Sequence, residues 1–203
     1  MSIGPYIADY RNGYEAPKIG YTTGLSFIYN FTENIGLETG LLFSNKGYKA
    51  DIGTLQVNSE IDPRQGDVNM IGTNPSKISL YYNNYYADIP LKLNFTFGKG
   101  VLRFVATTGA TMNVFINNTN TSIVKYEDGT KTRNTHSSHF KNNLLNISPF
   151  IGAGVDWELD HKSHLKIEPI FRYGLFQVAR PQLPEYLWNA GLSITYCYGL
   201  DKK

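Results

Sequence analysis

Segments in which apolar and polar residues alternate follow one another along this chain, and the connections between them are by turns short and long. The short connections are Thr32-Glu33-Asn34, Gly98-Lys99-Gly100 and Asp160-His161-Lys162-Ser163. The long connections lie at about 9–19, 51–78, 118–143 and 177–184. The alternation of lengths predicts strands that run up and down, with short turns at one rim and long loops at the other.

The alternation within each segment has a period of two residues, which is the period of a β-strand. In 101–115 the even positions are almost all apolar, whereas the odd positions include Arg103, Thr107 and Asn113. In 85–97 the apolar residues occupy the odd positions instead. Similar patterns at 21–31, 35–43, 145–159, 165–175 and 188–198, together with a weakly patterned strand near 2–8, bring the predicted number to eight.

Proline interrupts three of these segments, at Pro90, Pro149 and Pro169. A proline has no N–H to donate to a neighbouring strand. We therefore expect a bulge or a weakened ladder at each of these positions.

The composition fits a single β domain and limits the classes of function. The 203 residues include 15 Tyr, 11 Phe and 19 Gly, and no run of 18 apolar residues could form a spanning helix. The lone Cys197 forms no internal disulfide, and the net charge of +2 gives no reason to expect a nucleic-acid partner. The chain opens without the basic and apolar segments of a secretory signal, so we expect that a precursor carried one.

Alternation alone does not decide between lipid and water, because a soluble lipocalin-like ligand-binding barrel also alternates. Aromatic residues favour the membrane, since they cluster where strands would cross the two interfaces. We expect one girdle near the short turns and one near the long loops, formed by Phe31, Phe97, Trp157, Tyr196 and Tyr198 and by Tyr21, Tyr81, Tyr82, Tyr85 and Phe115 respectively. The sequence therefore predicts an all-β, eight-stranded antiparallel up-and-down transmembrane β-barrel.

Charged residues on the predicted inner face balance one another, which fits a closed interior in which an unpaired charge would be costly. The five cations and five anions form a predicted lumen ion-pair network of Glu38, Lys46, Asp88, Lys92, Arg103, Asp156, Glu158, Lys166, Glu168 and Arg172. Eight strands enclose a space that is just wide enough for side chains. We expect a packed lumen and keep a small porin-like channel for solutes as the alternative.

Several stretches carry a resemblance to a known family: residues 24–49 (GLSFIYNFTENIGLETGLLFSNKGYK), 85–98, 149–159, 165–175 and 188–200. They resemble the small outer-membrane β-barrel family, porin-like or PorT-like, that is abundant in Bacteroidetes. The resemblance implies an eight-stranded barrel in the outer membrane of a Gram-negative bacterium. It does not imply any one activity.

No residues form a convincing catalytic, cofactor or metal site, so we expect a non-enzymatic protein without a cofactor. Asp156 and Glu158 have Lys166 and Arg172 available as ion-pair partners, and His136 and His139 lie in a polar loop. An outer-membrane hydrolase that uses the two histidines is a distant alternative.

Function is expected on the long loops, because rigid scaffolds usually present binding residues there. Residues 121–130 predict a hairpin with its turn at Asp-Gly, and the candidate partner-binding residues are Ile123, Lys125, Tyr126, Asp128 and Gly129. The expected partners are the lipid bilayer and an extracellular macromolecule. We expect the protein to be a monomer with a structural or surface-binding role in the envelope.

Overall fold

The computed structural model describes residues 2–8, 15–52, 75–137, 143–176 and 187–200, and their regular structure is all β. The strands in these residues are β1 (Ser2–Ala8), β2 (Glu15–Asn30), β3 (Ile35–Ile52), β4 (Pro75–Phe97), β5 (Leu102–Tyr126), β6 (Lys131–Ser137), β7 (Leu145–Asp160), β8 (Ser163–Tyr173) and β9 (Leu187–Tyr198). Among the described residues no helix is long and apolar enough to cross a membrane.

Eight of these strands pair in a closed ring, in the order β4-β3-β2-β1-β9-β8-β7-β5, and β5 pairs with β4 to complete it. Every pairing in the ring is antiparallel. Among the described residues the remaining strand, β6, pairs with the outer part of β5 alone, as a hairpin that stands beyond the ring. The prediction of an eight-stranded antiparallel barrel is confirmed, and it includes the weak first strand.

The strands extend further than the predicted loop boundaries. Residues 15–19 belong to β2, residues 51–52 to β3, residues 75–78 to β4 and residues 118–126 to β5. A strand that has left the membrane needs no apolar face, so the alternation fades before the hydrogen-bonded ladder ends. The other residues of the four predicted loops lie outside the described residues, apart from those in and around β6.

The short turns join β2 to β3, β4 to β5, and β7 to β8, as predicted. In the second of them Gly98 and Gly100 have φ angles of 97° and 104°, which side chains disfavour. Two glycines therefore allow the chain to reverse within a few residues at this rim.

The two faces of the ring are opposite in character to those of a soluble barrel. Large apolar side chains point outward, and Leu25 and Phe104 are 78% and 68% exposed. The side chains that are fully buried are mostly polar, and they include Glu38 and Asp88 at 2% and 0% exposure. An apolar exterior with a polar interior suits a barrel surrounded by lipid, and it rules out the lipocalin-like alternative.

The prolines weaken the ladders without shifting them. Between β3 and β4 the pairs Thr39 with Leu91 and Leu42 with Asp88 keep one register across Pro90. The register between β7 and β8 is likewise the same on both sides of Pro169. Pro149 pairs with Ala110 in the ladder between β5 and β7. Ladder pairs are missing beside Pro90 and Pro169, which is the weakened ladder expected as the alternative to a bulge, and the register shifts of the sheet lie elsewhere.

Candidate functional site

The centre of the lumen is crossed by a cluster of charged side chains around Glu38. Lys92 on the neighbouring strand donates to Glu38 Oε1 at 2.8 Å. Lys166 lies on β8, directly across the ring from β3, and its Nζ is 3.4 Å from Glu38 Oε2. Lys166 also donates to Asn94 Oδ1 at 3.0 Å, and Asn94 Nδ2 donates to Glu38 at 3.3 Å. These contacts join opposite walls of the barrel.

A second cluster surrounds Asp88, nearer the rim of long loops. Lys46 Nζ is 2.9 Å from Asp88 Oδ2. The amide of Asn113 donates to Asp88 Oδ1 at 2.7 Å, and the Ser148 hydroxyl donates to Asn113 at 2.5 Å. Four strands, β3, β4, β5 and β7, are therefore linked through one buried carboxylate.

A third cluster lies near the short turns. Arg103 Nη2 is 2.6 Å from Asp156 Oδ2 and 3.1 Å from His164 Nδ1. Of the other predicted lumen residues, Arg172 on β8 donates to Thr22 on β2 at 3.4 Å, with two strands of the ring between them. Within the described residues Glu158 and Glu168 form no ion pair, so the structure does not join all ten predicted residues in one network.

Buried aromatic rings lie beside cations of the lumen. The cations of Lys92 and Arg172 each lie 5.9 Å from the centre of the buried Phe150 ring. A cavity of about 20 Å³ lies beside Lys46, Tyr86 and Arg172. This volume holds about one water molecule.

The predicted girdle near the short turns lies on the outer surface. Its five members, Phe31, Phe97, Trp157, Tyr196 and Tyr198, are between 49% and 62% exposed. Near the other rim Tyr21, Phe43 and Tyr85 form a row of rings across β2, β3 and β4, with centroid distances of 6.4 and 5.8 Å.

The remaining predicted members of the upper girdle lie elsewhere. Phe115 pairs with the buried Tyr86 in the ladder, and their rings lie 5.7 Å apart, so Phe115 faces inward. Tyr82 stacks on Tyr48 at 4.6 Å, on the face that continues the inner wall. Tyr81 faces outward but stands four residues beyond Tyr85, where Lys49 lies 5.7 Å from its ring centre. The prediction is wrong for Phe115 and Tyr82 because proximity to a rim does not fix the face of a strand.

Beyond this rim the outer ends of β3, β4 and β5 join β6 in a sheet, and residues 15–17 of β2 pair with its β3 edge. We call it the extension sheet; it comprises 47–52 of β3, 75–84 of β4, 117–126 of β5, and β6. All residues of β6 are exposed, and in the described residues its second edge has no neighbouring strand. An open edge of this kind can accept a further strand.

The tip of the extension sheet is a tight turn at 127–130. Gly129 has a φ of 85°, and the Asp128 carboxylate accepts hydrogen bonds from the hydroxyl and the N–H of Thr130 at 2.6 and 2.8 Å. These hydrogen bonds hold the pKa of Asp128 below its usual range. Three candidate binding residues, Ile123, Lys125 and Tyr126, lie on β5 just before this turn.

The sequence interpretation missed the neutral partners of the lumen charges. Asn94, Asn113, Ser148 and Thr22 have the same inward parity as the charged residues, and this parity was the available signal. His136 pairs with Asn120 in the hairpin, and His139 lies outside the described residues. Within the described residues no group of three or more His, Cys, Asp or Glu side chains could hold a metal ion.

Comparison with known proteins agrees with this geometry. The family described as outer membrane protein beta-barrel domain matches residues 2–180. No curated protein matches the chain. The match covers most of the sequence and coincides with a closed ring that has an apolar exterior and a polar interior. The chain therefore belongs to the outer membrane protein beta-barrel domain family and is an integral outer-membrane barrel.

Proposed function

We propose that this protein is a non-conducting, non-enzymatic barrel of a Gram-negative outer membrane, which presents the extension sheet to an extracellular macromolecule. The contact that carries the first part is the crossing of the lumen by Lys166 to Glu38 and Asn94. An eight-stranded barrel leaves little space to bypass such a crossing. We further propose that the protein acts as a monomer, binds no nucleic acid, and uses the bilayer as its structural partner.

Single-channel recording in planar bilayers tests the closed lumen. We expect no stepwise conductance from the native protein, and conductance from a triple variant, Glu38→Ala/Lys92→Ala/Lys166→Ala, that removes the crossing. Each preparation must first migrate differently on gels before and after boiling, which shows that the barrel is closed. Stepwise conductance from the native protein would support the porin-like alternative instead.

The open edge of β6 supports the second part of the proposal. An extended segment of a partner can add to such an edge through backbone hydrogen bonds, while side chains select the partner. The edge is polar and exposed, and it carries Lys131 and Arg133. These features suit an extracellular ligand that binds in water.

Peptide display tests the open edge. A random peptide library is selected on native protein in nanodiscs and counter-selected on protein that lacks 119–137. Alternate residues of a strand direct their N–H groups to opposite edges, so Arg133→Pro and Asn134→Pro form a matched pair. One of the two residues directs its N–H group to the open edge, and the other directs it to β5. We expect proline at the first position to abolish capture of the selected peptides while the amides of β5 stay protected from hydrogen exchange. Capture that survives in both variants would contradict binding at the edge.

A further inference from the structure

Three lysines lie side by side on one face of the extension sheet. The ladders pair Lys77 with Lys125 and Lys125 with Lys131, so the three ammonium groups occupy one row across β4, β5 and β6. Arg133, two residues beyond Lys131, is on the same face. Like charges directly opposite each other in a sheet destabilise it. The sheet therefore contains a repulsive arrangement that an external anion would relieve.

The sheet itself supplies little compensating charge. Asp51 is shared between Lys49 and Lys77, whose Nζ atoms lie 2.7 and 3.0 Å from its Oδ2. Within the described residues, Lys125, Lys131 and Arg133 have no carboxylate within 4 Å, although all three are exposed. Among the described residues, Asp51 is thus the one carboxylate that forms an ion pair with any of these five cations, and we call this set the cation row: Lys49, Lys77, Lys125, Lys131 and Arg133.

The cation row lies on the outward face of the strands, which is the same face that contacts lipid within the membrane. Along β4 the outward residues run from Ile89 through Ala87 and Tyr85 to Tyr81 and Lys77. Below Tyr85 this wall contacts acyl chains, and so above Tyr85 it faces the headgroups of the same lipids. The eight residues from Tyr85 to Lys77 raise the row by roughly 20 Å, given about 3.3 Å per residue and the usual strand tilt.

The distance of the cation row from the membrane boundary limits the kinds of lipid headgroup that can reach it. The polar layer of a simple phospholipid leaflet is only about 5–8 Å thick. A headgroup that reaches the row must therefore extend much further, as a chain of sugars does. Ammonium groups on flexible stems bind phosphate as point charges, and several in a row suit more than one phosphate.

We propose that the cation row binds the phosphorylated saccharide headgroup of a lipid in the leaflet around the barrel. The ligand lies against the flat outer face of the extension sheet. The inference therefore goes beyond the open edge of β6, which is proposed to bind a different partner. Lys131 and Arg133 are common to both sites, but the edge is tested through its backbone N–H groups with peptides and the row through its side-chain charges with a lipid, so each proposal can fail without the other.

The experiment titrates detergent-purified full-length protein with rough-form lipopolysaccharide whose core sugars carry phosphates. Hydrogen exchange of residues 119–137 reports the location of binding. We expect Lys125→Gln/Lys131→Gln to weaken binding roughly 30-fold, because each lysine near an anionic surface contributes about 1 kcal/mol to the binding free energy. The matched control is Lys99→Gln/Lys162→Gln, which removes two exposed lysines from the short turns. It should bind as the native protein does.

Three comparisons can overturn the proposal. Equal binding of the same lipopolysaccharide after removal of its phosphates would exclude phosphate recognition. Equal protection of 119–137 by inorganic phosphate or by poly-glutamate would assign the row to a free anion or to an acidic protein. Native affinity in the Lys125→Gln/Lys131→Gln variant would remove the row from the site. If that variant loses the mobility shift on boiling, Lys77→Gln/Arg133→Gln replaces it in every comparison.

Discussion

At the scale of single residues, Glu38 is a buried carboxylate in the lumen that contacts two lysines. Its carboxylate is almost fully buried and lies between Lys92 of the adjacent strand and Lys166 of the opposite strand. Burying a charge is costly unless a partner compensates it. Glu38 is therefore the counter-charge that permits two lysines to occupy the centre of the barrel.

Replacement of Glu38 should reveal that dependence. Glu38→Ala leaves Lys92 and Lys166 buried without a counter-charge, so we expect the free energy of unfolding to fall by about 3–5 kcal/mol. The measurement is urea unfolding in detergent micelles, followed by tryptophan fluorescence. The control is Glu33→Ala in the exposed turn between β2 and β3, which should change the free energy by less than about 0.5 kcal/mol. Equal effects at the two positions would show that Glu38 does not hold the lumen cluster together.

At the scale of strands, the sequence predicted the part of each element that crosses the membrane. There the bilayer requires an apolar outer face and the lumen favours a polar inner one, so both faces of β4 between Tyr85 and Phe97 could be assigned. Outside the membrane that requirement ends, and the observed strands extend beyond the predicted loop bounds at 51, 78 and 118. The ladders continue because backbone hydrogen bonds need no apolar side chains.

A bulge explains why the outer half of β5 was harder to predict. Tyr85 pairs with Asn117 and Tyr86 pairs with Phe115, which leaves Ile116 as an extra residue on β5. Before the bulge the outward residues of β5 are even-numbered, and beyond it they are odd-numbered. The face of Lys125 and its place beside Lys77 therefore depend on a local irregularity that periodicity does not show.

Contacts across the lumen were beyond prediction for a different reason. The inward parity of Glu38 and Lys166 follows from the local pattern of each strand. That the two side chains meet depends on the radius of the closed ring and on the stagger of its strands, which the whole barrel sets. The sequence could therefore indicate which residues line the lumen, but it could not indicate which of them contact each other.

At the scale of the whole molecule, the structure consists of a closed ring of eight strands and a hairpin that extends beyond it. The ring closes through β4 and β5 and through β1 and β9, and the lumen clusters link its strands from inside. In the part of the chain that the structure describes, the outer part of β5 pairs with β4 and β6, and β6 pairs with β5 alone. The stability of the ring should therefore not depend on the hairpin.

Excision of the hairpin tests this division. Thr119 and Ser137 are ladder partners, so residues 119–137 can be replaced by an Asn-Gly turn without separating the strands below. We expect the shortened protein to keep the mobility difference between unboiled and boiled samples, because each strand of the ring keeps both neighbours. As a control, removal of 145–173 takes out β7 and β8, opens the ring and should abolish that difference. Loss of the difference after excision of 119–137 would mean that the hairpin is needed to close the barrel, and that the extension sheet is part of its structure as well as a surface for binding.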